Sequence, residues 1–419
     1  MGVGKLRTGK IGIAATAAVL AAAAALFASS APRAEAAYPE ARNGDLIVSA
    51  CTFSQCDLVT FEPDGSGRRQ LTATPTLHET NPVFSPNGRL IAFSQGGAIW
   101  LMERDGSDRI RITTPPGGRF DGTPAFSPDG RRVVFSRCPS LGPCDLALVN
   151  ADGSRLRSLT ATSGFDERDP DFSPDGRLIL FSRNDADFLN FDSDLFTIRP
   201  DGSRLRNLTS TPDPNAEQAS AFSPDGARIA FVFDRGTGIQ DVWAMDRDGS
   251  GRTNLTRHPT NSDTFAPAVS PNSRLVSYST NIATASPEDE IHLVGIDGSP
   301  RPRRITFTAA VEENDSAWQY VYRCAGRRAT IVGDDGPDRI RGTRRKDVIV
   351  ANGGKDKIRG RGGKDRICAG PGKDKVSGGA GKDRLLGGKG RDRLAGGPGR
   401  DKCSGGRGRD RGSCERGRL

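Results

Sequence analysis

The 419-residue chain carries 60 Lys and Arg against 51 Asp and Glu, a net charge of +9, with three histidines and eight cysteines. The charge is uneven: residues 331–419 hold 25 cations against 12 anions, and the other 330 residues hold 35 against 39, so a mildly acidic body carries a basic tail. Three scattered histidines and the lack of any CxxC spacing argue against a zinc site.

Lys5, Arg7 and Lys10 precede an almost charge-free run from Ile11 to Ser30, and Ala34, Glu35 and Ala36 then supply an A-x-A site. This predicts a secretory signal peptide over residues 1–36, with a mature start at Ala37. The competing reading is an uncleaved anchor, since the run approaches spanning length. No later segment is apolar enough to cross a membrane. Export puts the cysteines in an oxidising compartment, where an even count predicts disulfides. Cys51 and Cys56 bracket TFSQ, Cys138 and Cys144 bracket PSLGP, and each pair is followed by Asp-Leu, as expected of a cystine at a hairpin neck. The remaining cysteines are read as Cys324 with Cys368 and Cys403 with Cys414.

The body is repetitive. VFSPNGRLIAFS at 83–94 returns as AFSPDGRRVVFS, DFSPDGRLILFS, AFSPDGARIAFV and AVSPNSRLVSYS, with spacings of 42, 46, 50 and 47 between Ser85, Ser127, Ser173, Ser223 and Ser270. Further Asp-Gly turns follow at Asp64, Asp105, Asp152, Asp201, Asp248 and Asp297. Strands ending in Leu-Thr or Ile-Thr close at Thr72, Thr113, Thr160, Thr209, Thr256 and Thr306. Proline, aspartate and glycine build a tight hairpin, and RLIAFS alternates as a half-buried strand should. Units of this length with four strands each predict propeller blades, six in all. The first unit, from Asp45, lacks an inner strand; Ser316–Gln319, with Trp318 in register with Phe84, Phe126, Phe172 and Phe222, is expected to supply it and close the ring.

The repeated FSPDG, strand, Asp-Gly turn and Leu-Thr strand resemble the repeats of TolB-type propellers over about residues 45–319. The resemblance implies a binding scaffold of the bacterial envelope, with the propeller assigned to 37–323. TolB carries a small α/β domain ahead of its propeller, and only a few residues here separate the expected cleavage site from the first blade. The Tol-system role is therefore not carried over. No GxSxG elbow is present, and His78, His258 and His292 read as surface or packing residues, so no enzyme is expected. An unrecognised hydrolase stays as a minor alternative. Ahead of the inner strands stand Glu79, Asp121, Glu167, Glu217, Asp263 and Glu313. They read either as an acidic ring at one mouth of the channel, able to hold a cation or basic peptide, or as solvated carboxylates that cap turns.

From Cys324 to Leu419 glycine and charge dominate, and no aromatic follows Tyr322. Aspartates recur every nine residues from Asp338 to Asp410, each but the last followed two places on by an apolar residue or Cys403. The pattern Gly-Gly-x-Gly-x-Asp-x-apolar-x at 378–386, 387–395 and 396–404 resembles the RTX (haemolysin-type) nonapeptide. The resemblance implies a parallel β-roll in which calcium is held by Asp356, Asp365, Asp374, Asp383, Asp392 and Asp401, shared between aspartates eighteen apart, with carbonyls of Gly378, Gly387 and Gly396. Lys or Arg precedes eight of the nine aspartates and follows eight of nine. That leaves open a metal-free roll held by Asp–Lys/Arg ladders, or a disordered basic tail.

The chain is thus expected to be all-β: a six-bladed propeller plus a C-terminal parallel roll of nine-residue repeats over 324–419. The functional expectation is a secreted or envelope-associated, non-catalytic binding protein with calcium at the repeats and an unidentified protein or envelope ligand at the propeller face. The alternative is a metal-independent polycationic anchor to anionic surface polymers. Nucleic acid is disfavoured, because no aromatic is available to stack a base.

Overall fold

Each Ser-Pro-Asp/Asn-Gly phrase closes a hairpin with its own side chains. Ser127 Oγ donates to Asp129 Oδ1 at 2.5 Å and accepts the Arg132 amide at 3.0 Å, while the Arg131 amide reaches Asp129 Oδ1 at 3.1 Å. Gly130 takes φ 66°, which lets its amide reach Ser127 O at 2.7 Å. The same serine-to-amide bond recurs at Ser85, Ser173, Ser223 and Ser270. The Leu-Thr ending has a reason as well. Thr72, Thr113, Thr160, Thr209, Thr256 and Thr306 accept, through Oγ1, the amides of Leu58, Ile99, Leu146, Leu195, Val242 and Ile291. Each threonine thereby satisfies a donor on the neighbouring strand, where its short outer strand ends.

The structure is a computed structural model. It describes residues 42–418 except 53, 163, 186–191, 212–214, 237, 259–261, 283–288, 308–310 and 334–335. The predicted signal segment lies outside the described residues. Every regular element described is a strand. Four-stranded antiparallel sheets run over Glu79–Phe84 to Ile110–Arg111, Arg119–Phe126 to Arg157–Ser158, and Ser262–Val269 to Arg303–Arg304. Between the last two lies an eight-stranded sheet from Phe165–Phe172 to Thr253–Asn254. It consists of two antiparallel runs of four joined by one parallel pairing, Ser193↔Ala216. The strand expected at Ser316–Gln319 covers Glu312–Val321 and pairs with Arg42–Cys51, setting Trp318 opposite Leu46. Both ends of the propeller therefore share one sheet, which Cys56–Phe61 and Arg69–Gln70 complete.

The core lies between facing sheets. Phe93, Phe135, Phe181, Phe231 and Tyr278, eight residues after each Ser-Pro serine, are all fully buried. This explains the aromatic in every LIAFS-type strand: it fills the seam between one sheet and the next.

Beyond Tyr322 the chain winds into two parallel sheets. One contains Val348–Val350, Arg366–Gly372, Arg384–Gly390 and Lys402–Arg407; the other contains Arg339–Arg341, Lys357–Gly362, Lys375–Ala380 and Arg393–Ala395. Strands eighteen residues apart lie side by side, so Ile349, Ile367, Leu385 and Cys403 stack in one row and Ile340, Ile358, Val376 and Leu394 in the other. Those rows form the thin core of the roll. Disulfides join Cys51–Cys56, Cys138–Cys144, Cys324–Cys368 and Cys403–Cys414. The roll is tied to the propeller by the Tyr322 hydroxyl, which donates to Pro86 O at 2.7 Å, and by packing of Tyr322 and Cys324 on Val348 and Val350.

Candidate metal centre

The Lys-Asp-Arg phrase of the roll alternates with the strand pleat: the aspartate points in and its two cations point out. Asp356, Asp365, Asp374, Asp383, Asp392 and Asp401 are 0–2% exposed. Each uses Oδ1 to accept the backbone amide of the aspartate eighteen residues earlier. Asp383 Oδ1 takes the Asp365 amide at 2.9 Å, Asp401 the Asp383 amide at 2.8 Å, and Asp392 the Asp374 amide at 3.0 Å. The same bond joins Asp356 to the Asp338 amide at 2.9 Å, Asp365 to Asp347 at 2.8 Å and Asp374 to Asp356 at 2.9 Å. The aspartates that the sequence pairs by repeat are thus stacked neighbours.

The second oxygen of Asp365, Asp374, Asp383, Asp392 and Asp401 is buried and accepts no hydrogen bond. At Asp365, Asp383, Asp392 and Asp401 it rests over the glycine five residues earlier; the corresponding residue before Asp374 is Ala369. A Cβ on Gly378 would collide with Asp383 Oδ2 and lie 2.7 Å from Gly396 O; one on Gly387 would lie 2.6 Å from Asp392 Oδ2 and 2.5 Å from Gly405 O; one on Gly396 would strike Asp401 Oδ2. Glycine here makes room for a carboxylate oxygen beside a carbonyl oxygen. Burial first, and then the stacked neighbouring carboxylates, push Asp365 and Asp374 up to about 6 and raise Asp383 and Asp392. Among the described residues no Lys or Arg lies within ion-pair distance of Asp365, Asp374, Asp383, Asp392 or Asp401. An orphaned, buried anionic oxygen next to a carbonyl fits a hard, oxygen-seeking cation. No cluster of three or more His, Cys, Asp and Glu side chains occurs among the described residues. Such a cation would therefore have to draw on backbone carbonyls as well as on these carboxylates.

The acidic positions of the propeller are, with one exception, buried. Glu79, Asp121, Glu167, Glu217 and Glu313 are buried at 0–1% exposure at or near the start of the inner strands, and none lines the central cavity. Glu79 accepts from Thr72, Thr74 and Gln95, Glu167 from Thr162 at 3.0 Å, and Glu217 from Thr211 at 2.7 Å. Arg137 grips Asp121 through two bonds of 2.7 and 2.8 Å, and Arg68 lies 3.7 Å from Glu313. Closing threonines of the preceding sheet, Thr72, Thr160 and Thr209, meet Glu79, Glu167 and Glu217 in the seam. Burial pushes Glu217 up to about 7. Asp263 is exposed, and Thr264 takes the buried position in its sheet, with Oγ1 donating to Gln240 O at 3.0 Å.

The cavity on the axis, about 260 Å³, is walled by the inner strands, chiefly by proline, alanine and phenylalanine. Asp169, Asp171 and Asp315 also line it, and sequence reading missed all three. Burial pushes Asp169 up to about 6 and Asp171 up to about 7. Their signal was positional. Asn81, Thr123, Asp169, Ala219 and Ala266 each stand four residues before a Ser-Pro serine, and all of them, with Asp315, adopt left-handed φ of 44–55° at the strand bulge.

No curated protein matches this chain. Among solved structures it resembles TolB from Acinetobacter baumannii, with TM-score 0.55 and 20% identity over 66% of this chain and 66% of that one, a little under two thirds of its length. It also resembles the Kuenenia stuttgartiensis hydrazine synthase, with TM-score 0.56 and 14% identity over 68% of this chain and 48% of that one. At these identities the likeness is one of fold. The RTX calcium-binding nonapeptide repeat profile matches residues 341–376 and 377–411. The profile of the TolB beta propeller domain matches residues 98–321, over half of the sequence, and the chain belongs to that family.

Proposed function

We propose that this protein is a secreted or envelope-associated, non-catalytic binding scaffold, whose six-bladed propeller presents a partner-binding face and whose roll is stabilised by calcium. The count of six takes the eight-stranded sheet as two blades meeting at Ser193 and Ala216. Recurrence of the left-handed bulge residue from Asn81 to Asp315 supports it. The metal ligands in this reading are Asp365, Asp383 and Asp401 along one row and Asp356, Asp374 and Asp392 along the other, with carbonyls from Gly378, Gly387 and Gly396.

One observation carries the calcium assignment: orphaned Oδ2 atoms eighteen residues apart, which at Asp365, Asp383 and Asp392 share a glycine's open side with a glycine carbonyl. Bound calcium would supply the positive charge these stacked carboxylates lack. The test is calorimetric titration of calcium into the full-length chain, with circular dichroism alongside. Saturable binding that stabilises the β signal supports the assignment. An unchanged signal and no heat in millimolar calcium would remove it.

A further inference from the structure

We propose that one edge of the roll is a docking groove for a linear acidic polysaccharide bearing a carboxylate on every sugar. Lys355, Lys373 and Arg391 form one bank and Lys357, Lys375 and Arg393 the other, around a cavity of about 840 Å³. All six side chains are exposed, and none has an acidic partner within 4.0 Å among the described residues. Asp356, Asp374 and Asp392 lie between the banks and also line the cavity, but they are only 1–2% exposed and their Oδ1 atoms are bound to backbone amides. The repeat thus keeps its acids on the floor of the groove, and its bases stand exposed along both sides.

Register sets the spacing of the rack. Lys357, Lys375, Arg393 and Arg411 are consecutive partners across parallel strands, so their charges step along the axis by about 4.8 Å. The opposite edge carries a similar ladder, Arg366, Arg384 and Lys402, but it is partly occupied. Val348 stands at its start, the Arg366 guanidinium donates to Ala325 O at 2.8 Å, and Tyr322 and Cys324 pack on Val348. One edge faces the propeller linker, and the other is left as an unbroken double row.

The chemistry of the occupant follows from what the groove holds and lacks. With no aromatic after Tyr322, neither bases nor sugar faces can be stacked, and recognition must come from charge and its repeat. Duplex DNA packs a charge every ~1.7 Å, far denser than the rack. A polyuronate carries one carboxylate per ring, in single file, at a step near that of the strands.

The test uses the calcium-loaded full-length chain and fluorescent alginate oligomers, followed by anisotropy. Reversing four charges in the groove (K373E, K375E, R391E, R393E) should weaken binding about 10-fold or more. Reversing four on the other edge (K364E, K382E, R384E, R400E) makes the same change in net charge and should leave binding close to wild type. Hyaluronate, with a carboxylate on alternate rings, should bind more weakly than alginate. Circular dichroism and calcium titration of each variant separate lost folding from lost binding, and the neutral pair K373Q and R391Q serves if a reversal misfolds. Equal loss from both edges, or equal binding of duplex DNA or poly(glycerol phosphate), would overturn the proposal. Failure of the calcium reading would show instead as absent metal binding with polymer binding intact.

Discussion

The Asp365 amide donates to Oδ1 of Asp383 at 2.9 Å, so one carboxylate oxygen ties neighbouring turns of the roll while the other is left without a donor. The two oxygens have separable roles, and Asp383→Asn separates them. Asparagine keeps the carbonyl acceptor for the Asp365 amide and removes the charge. The metal-free roll should then be as stable as wild type or more so, while calcium affinity falls; thermal unfolding with and without chelator measures both.

Gly378→Ala probes the cradle rather than the charge. The added Cβ would meet Asp383 Oδ2 and stand 2.7 Å from Gly396 O, with backbone on one side and a buried carboxylate on the other. Overpacking of this kind costs about 1–3 kcal/mol. The expected result is a lower melting temperature in calcium and a weaker calcium response. Ala395→Gly, at an exposed position, is the control.

The repeat phrases made most of the fold legible, because each encodes its own turn: Ser127, Asp129 and Gly130 bond to one another and need no distant partner. The same holds for the nine-residue clock, whose strict spacing brings Asp365 beside Asp383. Side-chain direction at the inner strands was less legible. Glu79 and Asp171 both precede or occupy an inner strand, yet the bulge after Thr80 or Arg168 changes the pleat. One ends in an inter-sheet seam and the other on the channel wall. Asp263 shows the same limit, since a shift of one residue left it in solvent and Thr264 in the seam. The orphaned Oδ2 atoms were equally hidden, because sequence shows Lys and Arg beside each aspartate and not the face they take.

Asp121 and Arg137 test whether the buried acids are structural. Their side chains are 0% and 11% exposed and joined by two short bonds. Asp121→Asn removes one charge of this pair and should destabilise the propeller by about 3 kcal/mol, because a buried guanidinium is left without its counter-charge. Denaturant unfolding gives the figure. Unchanged stability would return Asp121 to the pool of ligand-binding candidates.

Cys324–Cys368 closes 44 residues and fastens the propeller linker to the roll. Replacing both cysteines by serine frees that loop in the unfolded chain and should cost about 2–4 kcal/mol. The loss should fall on the roll, read as earlier proteolysis after residue 323 with the propeller core still protected.

Asp171 makes propeller stability depend on pH. Burial in the channel wall pushes its carboxyl up to about 7, against an ordinary value of 3.8, even though the Phe222 amide donates to it at 2.8 Å. Between those values the folded state holds a proton that the unfolded chain has released. The contribution is therefore complete below about pH 4 and is lost as pH rises through 7. Asp171→Asn keeps an acceptor for the Phe222 amide and cannot ionise. Wild type should lose about 1–3 kcal/mol relative to this variant between pH 5 and pH 8, a range that allows for partial solvation by the channel. Urea midpoints for both proteins at the two pH values measure the difference. Parallel behaviour of the two would place the Asp171 carboxylate in contact with water or a counter-charge at neutral pH.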